Sequence, residues 1–169
     1  MITLVLGGAA SGKSSVAEAL AAGLSAPVTY VATATVDAHD LDLCARIAAH
    51  QARRPSSWAT VEATAPSTLV PSLRACRGTA LVDALGTWVA SAPELAVDPE
   101  SLTRALLERD GDSIVVSDEV GMGVHPSAAV GRRFRDVLGN VNQEVAAVAD
   151  EVLLVVAGRV LPLGPLRSR

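Results

Sequence analysis

Gly7-Gly8-Ala9-Ala10-Ser11-Gly12-Lys13-Ser14 is the densest run of chemistry-bearing residues in the 169-residue chain. It follows the apolar run Ile2 to Leu6 directly and opens a helical pattern, which is the context a phosphate-binding loop needs. Glycines let the backbone wrap so that several N–H groups and the positive helix end face a phosphate chain. Lys13 is placed to reach the terminal phosphates, and the Ser14 hydroxyl to ligate Mg2+. Lys13 is also the only lysine in the sequence. Its solitude excludes the Asn-Lys-x-Asp motif with which switch GTPases read guanine. Such a GTPase is therefore a poor match, although Asp83-Ala84-Leu85-Gly86 and Asp118-Glu119-Val120-Gly121 imitate its Asp-x-x-Gly motif.

Nucleotide chemistry on such a loop calls for a second carboxylate at a strand end, holding Mg2+ through water. Two apolar runs end suitably, Ala80-Leu81-Val82-Asp83 and Ile114-Val115-Val116-Ser117-Asp118-Glu119. Asp83 is the first choice, with a cap for the helix beginning near Leu85 as its alternative role. Asp118 and Glu119 are either solvated loop acids or a general base and second metal contact. A third concentration is Arg46-Ile47-Ala48-Ala49-His50-Gln51-Ala52-Arg53-Arg54-Pro55. Helical spacing puts Arg46, His50, Arg53 and Arg54 in one broad sector. Guanidiniums keep a neighbouring imidazole neutral and can hold phosphate oxygens. Two readings stay open for His50 on these residues alone, a plain helix-edge histidine and a nucleophile toward phosphorus.

The elements that must position these groups alternate in type. Strands are expected at Ile2 to Leu6, Val28 to Ala32, Thr79 to Asp83, Ser113 to Ser117 and Val152 to Val156. Helices are expected at Lys13 to about Leu24, about Leu41 to Arg53, Thr68 to Arg77, Pro99 to Arg109 and Val130 to Ala149. The last has the clearest stripe, formed by Val130, Phe134, Val137, Leu138, Val141, Val145 and Val148. Alternation of this kind predicts an α/β chain with a mostly parallel sheet covered by helices on both faces. Proline-bearing stretches at Arg54 to Ser57, Ala92 to Pro99 and His125 to Ser127 are the expected loops, and Pro165 to Arg169 a loose tail. The length and the absence of repeats predict a single domain over residues 1–169.

Composition narrows the partners. Apolar residues make up 50% of the chain but aromatics only 2%, so Ala, Val and Leu must build the core. The formal net charge of -4, without a basic cluster, gives no basis for a nucleic-acid or anionic-membrane partner. Cys44 and Cys76 lie far apart with no zinc spacing, which fits a reducing compartment. The longest apolar run, Val152 to Ala157, is far short of the ~20 residues of a membrane span. With no basic start followed by an apolar stretch, a cytoplasmic location is expected.

Further motifs run in a fixed order along the chain. They are Tyr30-Val31-Ala32-Thr33, then Arg46-Ile47-x-x-His50-x-x-Arg53-Arg54-Pro55-x-x-Trp58-x-Thr60-x-Glu62, then Glu119-Val120-Gly121-Met122-Gly123. Arg133-Phe134-Arg135-Asp136 and Asn142-Gln143 follow. Together with the glycine-rich loop, they resemble the bifunctional adenosylcobinamide kinase / adenosylcobinamide-phosphate guanylyltransferase family of cobalamin synthesis. The likeness extends from Ile2 to about Gly158.

The resemblance implies a RecA-like P-loop NTPase fold, a homotrimer and two reactions on the aminopropanol arm of a corrinoid. ATP or GTP phosphorylates the arm's hydroxyl. GTP then guanylylates a histidine that matches His50, and the corrinoid phosphate takes the GMP to give adenosylcobinamide-GDP. It also implies nucleotide contacts at Gly7, Gly8, Ala9, Ala10, Ser11, Gly12, Lys13 and Ser14. Further contacts are implied at Ala32, Thr33, Ala34, Gln51, Ala52, Arg53, Arg54, Glu62 and Asp83, with Ser14 and Asp83 serving Mg2+. The chain departs from the family pattern at Asp118, where an Asn usually precedes Glu-Val-Gly, and in a short connection from Ser91 to Pro99. Two other readings remain beside this one: a simple small-molecule kinase in which His50 is structural, and a nucleotide-binding regulatory module without turnover.

Overall fold

A computed structural model describes residues 1–35, 45, 48 and 51–165. The five expected strands form at β1 (Ile2–Gly7), β2 (Val28–Ala32), β4 (Thr79–Asp83), β5 (Ser113–Asp118) and β6 (Glu151–Val156). Two more strands extend the sheet, β3 (Ala59–Glu62) and β7 (Arg159–Leu163). The order across it is β3-β2-β4-β5-β1-β6-β7, parallel throughout except for the antiparallel β6–β7 hairpin. All six residues of β1 are buried, as a central strand covered on both faces requires.

Helices α1 (Lys13–Ala22), α2 (Leu69–Ala75), α3 (Leu85–Ser91), α4 (Pro99–Glu108) and α5 (Ala129–Val148) connect the strands. Successive strand residues feed two separate cores, as a period of two dictates. Leu4, Leu6, Val31, Val82 and Val115 face α2 to α5 and meet Leu69, Leu73, Leu85, Trp88, Leu102, Leu138 and Val141. Val5, Tyr30, Leu81, Ile114 and Val116 face the other way and meet Ala17 and Ala21 of α1. Each fully buried Leu or Val contributes ~1.5–3 kcal/mol of transfer free energy. The small alanines let α1 lie close to the sheet, which sets the glycine-rich loop against its edge.

One expectation needs correction. Val130 heads the apolar stripe of α5 but is 66% exposed, because the helix's first turn lies beyond the sheet it packs on. Asn142, a polar residue, is buried on that helix instead; its Oδ1 accepts a bond from Ser117 Oγ at 2.6 Å and its Nδ2 donates to the Asp118 carbonyl at 3.1 Å. The short connection from Ser91 holds a 3-10 turn at Pro93–Leu95, and Asp98 then caps α4 by accepting from the Ser101 N–H at 3.1 Å. The helix expected over Leu41 to Arg53 lies mostly outside the described residues; 51–53 are helical.

Candidate active site

Parallel register brings the carboxyl ends of the strands into line. Ala32 pairs with both Glu62 and Asp83, and Gly7 pairs with Asp118. Five strands thus deliver their last residues to one edge, where ligands of open α/β sheets bind. A cavity of about 790 Å³ lies there. Its walls come from the loop residues Ala9 to Ser15, from Tyr30, Ala32, Ala34 and Thr35, from Gln51, Arg53, Arg54, Thr60, Glu62 and Thr64, and from Asp83, Ala84, Thr87 and Asp118. Gly7, Gly8, Thr33 and Ala52, expected among the nucleotide contacts, are not on its lining.

Gly7 and Thr33 serve the walls from behind. A methyl group at Gly7 would overlap Ser11 Oγ and come within 2.8 Å of the Val155 carbonyl, so only glycine lets the loop fold against β6. Thr33 is fully buried; its hydroxyl donates to the Ala84 carbonyl at 2.6 Å and also contacts the Thr87 hydroxyl. That ties the end of β2 to the start of α3.

The glycine-rich loop turns through left-handed backbone at Ala10 (φ 54) and Gly12 (φ 90), and Gly12 caps α1. Such alternation points successive N–H groups into one concavity, which with the helix end suits an anion. The turn between β6 and β7 braces the loop from outside, Gly158 N–H donating to the Ser11 carbonyl at 2.8 Å. Lys13 Nζ lies 2.8 Å from Asp118 Oδ1 and donates to the Gly8 carbonyl at 3.2 Å. Asp118 is therefore a counter-ion inside the site, not a solvated loop acid. A methyl at Gly86 would overlap its carboxylate, so glycine there keeps its place open. Glu119 folds back to accept from the Gly121 N–H at 2.6 Å.

Asp83 does not cap α3, whose capping position is Ala84. Its Oδ1 accepts from Ser14 Oγ at 3.3 Å and its Oδ2 from the Tyr30 hydroxyl at 2.6 Å. A hydroxyl and a carboxylate converging beside a phosphate cradle form an all-oxygen donor pair, the chemistry Mg2+ prefers. Burial, reinforced by the Asp83 charge, pushes the Tyr30 phenol far above its ordinary range, so it remains a proton donor. Arg54 stacks on the same ring, its guanidinium carbon 3.3 Å from the centroid. Its Nη1 reaches Thr60 Oγ1 at 3.4 Å, and its buried Nε has no hydrogen-bond partner among the described residues. A half-buried guanidinium held by a ring and one long hydrogen bond at the edge of a hollow fits an anionic ligand.

Arg53 Nε and Nη2 donate to the two oxygens of Glu18 on α1, at 3.0 and 3.2 Å. That fork fastens 51–54 across the cavity mouth from α1. His50 and Arg46 lie outside the described residues. Gln51, which follows His50 in the chain, lines the cavity. Tyr30 and Asp118 are the side chains on this hollow whose partners, Asp83 and Lys13, the order of residues alone does not give. Tyr30 is hidden within the apolar run of β2, and only the pairing of β2 with β4 brings its hydroxyl to Asp83.

The whole arrangement offers a phosphate cradle with one lysine, an oxygen pair for a divalent cation, and arginines facing it across a single hollow. The family model described as "Cobinamide kinase / cobinamide phosphate guanyltransferase" matches residues 3–163. The chain is 40% identical over 173 residues to the bifunctional adenosylcobalamin biosynthesis protein CobP of Pseudomonas aeruginosa, covering 96% of this chain and 97% of that one. It is 38% identical to the bifunctional adenosylcobalamin biosynthesis protein CobU of Escherichia coli K12, covering 94% and 97%. Among solved structures, a prototypical ATPase from the type III secretion system of pathogenic bacteria superposes with a TM-score of 0.53 at 12% identity, over 90% of this chain and 50% of that one. A KaiC-like protein from Pyrococcus horikoshii OT3 superposes at 0.52 with 15% identity, over 90% and 71%. These likenesses, with the strand order, give the RecA-like P-loop fold.

Proposed function

The chain belongs to the cobinamide kinase / cobinamide phosphate guanyltransferase family, and from that premise we propose that one cavity performs both reactions on the corrinoid's aminopropanol arm. The observation that supports this most directly is the shared wall: the Lys13, Ser14 and Asp83 cluster lines the same hollow as Gln51, Arg53 and Arg54, which follow His50 in the chain.

In the kinase step, ATP or GTP lays its phosphates along the N–H groups of the loop, and Lys13 leaves Asp118 for the terminal phosphates. The arm's hydroxyl oxygen attacks the γ phosphorus, the bond from that phosphorus to the β,γ-bridging oxygen breaks, the nucleoside diphosphate departs with that oxygen, and the hydroxyl proton passes to an oxygen of the transferred phosphoryl group. Ser14 and Asp83 would hold Mg2+, which supplies neutralisation of the phosphate charge. Arg54 and Lys13 contribute fixed positive charge where the transferred group gains negative charge.

In the second step, the neutral imidazole of His50 attacks the α phosphorus of GTP and pyrophosphate leaves. A phosphate oxygen of adenosylcobinamide phosphate then attacks the same phosphorus, the P–N bond breaks, and adenosylcobinamide-GDP forms. The histidine adduct divides one hard nucleotidyl transfer into two in-line displacements. Ala32, Ala34, Gln51, Arg53 and Glu62 make the remaining nucleotide contacts. Residues 1–169 act as one domain, within a homotrimer in the cytoplasm, with no nucleic acid as partner. No helix among the described residues is long and apolar enough to cross a membrane.

The test is intact-protein mass spectrometry after GTP and Mg2+. A mass gain of one GMP is expected, in an acid-labile and base-stable bond, lost in His50→Ala. Unlabelled wild-type protein would reduce the reading to a simple kinase.

A further inference from the structure

Tyr30 is the only tyrosine of the chain and 3% exposed, yet it touches both halves of the cavity. Its ring belongs to the apolar cluster that includes Ala17, Val28, Leu81 and Ile114, in which a phenylalanine would pack as well, and its strand partner on β4 is Leu81. The hydroxyl is thus an addition that packing does not require, and it is spent on Asp83 Oδ2 at 2.6 Å. With Ser14 on Oδ1, each oxygen of that carboxylate answers to its own donor, which fixes the plane of the group. The ring does separate work. Tyr30 pairs with Thr60 across β2 and β3, so the ring and the Thr60 hydroxyl share one side of the sheet and form a seat for Arg54. Without the ring, the guanidinium keeps only the 3.4 Å contact to Thr60 among the described residues.

We infer that Tyr30 is a positioning residue with two separable functions: its hydroxyl aims the Asp83 carboxylate for the divalent cation, and its face holds Arg54 toward the nucleotide phosphates. The inference rests on the proposed reading of this cavity as a nucleotide site. It adds that the cation side and the arginine side are set by opposite parts of one side chain.

The two functions part under substitution. Tyr30→Phe keeps the seat and removes the donor; Tyr30→Leu removes both. Mn2+ binding to the enzyme–GTP complex, followed by electron paramagnetic resonance, is expected to weaken by about 10-fold in Tyr30→Phe, in the range seen when a group orienting a metal ligand is lost. GTP binding measured in EDTA changes by less than about 2-fold in that variant, since the Arg54 charge contact to phosphate persists. In Tyr30→Leu the same metal-free affinity falls by about 10-fold, and Arg54→Ala reproduces that loss without the manganese defect. Circular dichroism reports folding; should Tyr30→Leu not fold, Tyr30→Phe and Arg54→Ala carry the comparison. Unchanged Mn2+ affinity in Tyr30→Phe overturns the first function, and unchanged metal-free GTP affinity in Arg54→Ala overturns the second. All of these readouts are independent of corrinoid turnover and of guanylylation. A wild-type protein that binds GTP but never gains GMP therefore fails the broader reading while leaving this one standing.

Discussion

The two ends of the sheet carry hollows of similar size, about 790 Å³ at the carboxyl end and about 710 Å³ at the amino end, and each has in its wall an arginine with a buried Nε, Arg54 and Arg109. They differ in who answers those arginines. At the amino end Arg109 donates to the carbonyls of Gly78 (2.8 Å), Cys76 (3.3 Å) and Asp112 and to Ser113 Oγ (3.0 Å). One guanidinium thereby stitches the turns before β4 and β5, and burial lowers its own pKa. At the carboxyl end Arg54 sits on a ring with one long contact to Thr60. Both leave a buried Nε without a partner, so burial alone does not separate them. A cation whose remaining donors are consumed by the chain's own carbonyls is a fastener. One whose donors face a hollow is an instrument for something else's oxygens.

Four substitutions or measurements would break that contrast or sharpen it. Lys13→Ala has the largest expected effect, a loss of about 10²–10³-fold in phosphoryl transfer to adenosylcobinamide, as for other deletions of a preorganised charge-stabilising group. A large drop in melting temperature alongside it would mean that the open end also carries stability. Arg109→Met is expected to cost about 2–3 kcal/mol, since several bonds to a charged donor are lost together. Thermal melts should therefore shift down by about 5–10 °C, while the GTP dissociation constant stays within about 2-fold. An equal loss in affinity would erase the distinction between the two ends. Arg54→Ala is the mirror image, with a ligand-free melt within about 2 °C of wild type and about 10-fold weaker GTP binding by calorimetry.

The smallest effect is at Cys76, beside Arg109. Burial pushes its thiol up, against a smaller downward pull from Arg109. The thiolate therefore forms only at higher pH, and the pH profile of Cys76 alkylation, followed by peptide mass mapping, should lie to the alkaline side of a free cysteine's. A profile on the acidic side would show that the amino end is open and electropositive rather than closed.

The site was legible where chemistry demands a fixed spacing. The glycine-rich loop, Lys13, Ser14 and Asp83 could be read from the order of residues, because a phosphate cradle tolerates few alternatives. Tyr30 could not, because an aromatic in an apolar run has the appearance of core, and its hydroxyl acquires a role only through pairing between strands fifty residues apart in sequence. β3 and β7 escaped for a related reason. Ala59–Glu62 is short and mostly exposed, and Arg159–Leu163 is exposed throughout with Pro162 inside it. Both are edge strands, which lack the buried apolar run that marks their central neighbours and which tolerate proline. Asp118 was seen as a candidate acid, but its pairing with Lys13 depends on the adjacency of β1 and β5, a property of topology.

The bond from Gly158 to the Ser11 carbonyl has a consequence for how the protein is made. Gly7 to Ser14 leave the ribosome well before the amide that closes the outer side of that turn, which arrives roughly 150 residues later, or about 7–30 s at ordinary rates of synthesis. A nascent chain halted before Gly158 lacks that donor, so the turn at Ser11 is left without its outer brace until β6 has been made.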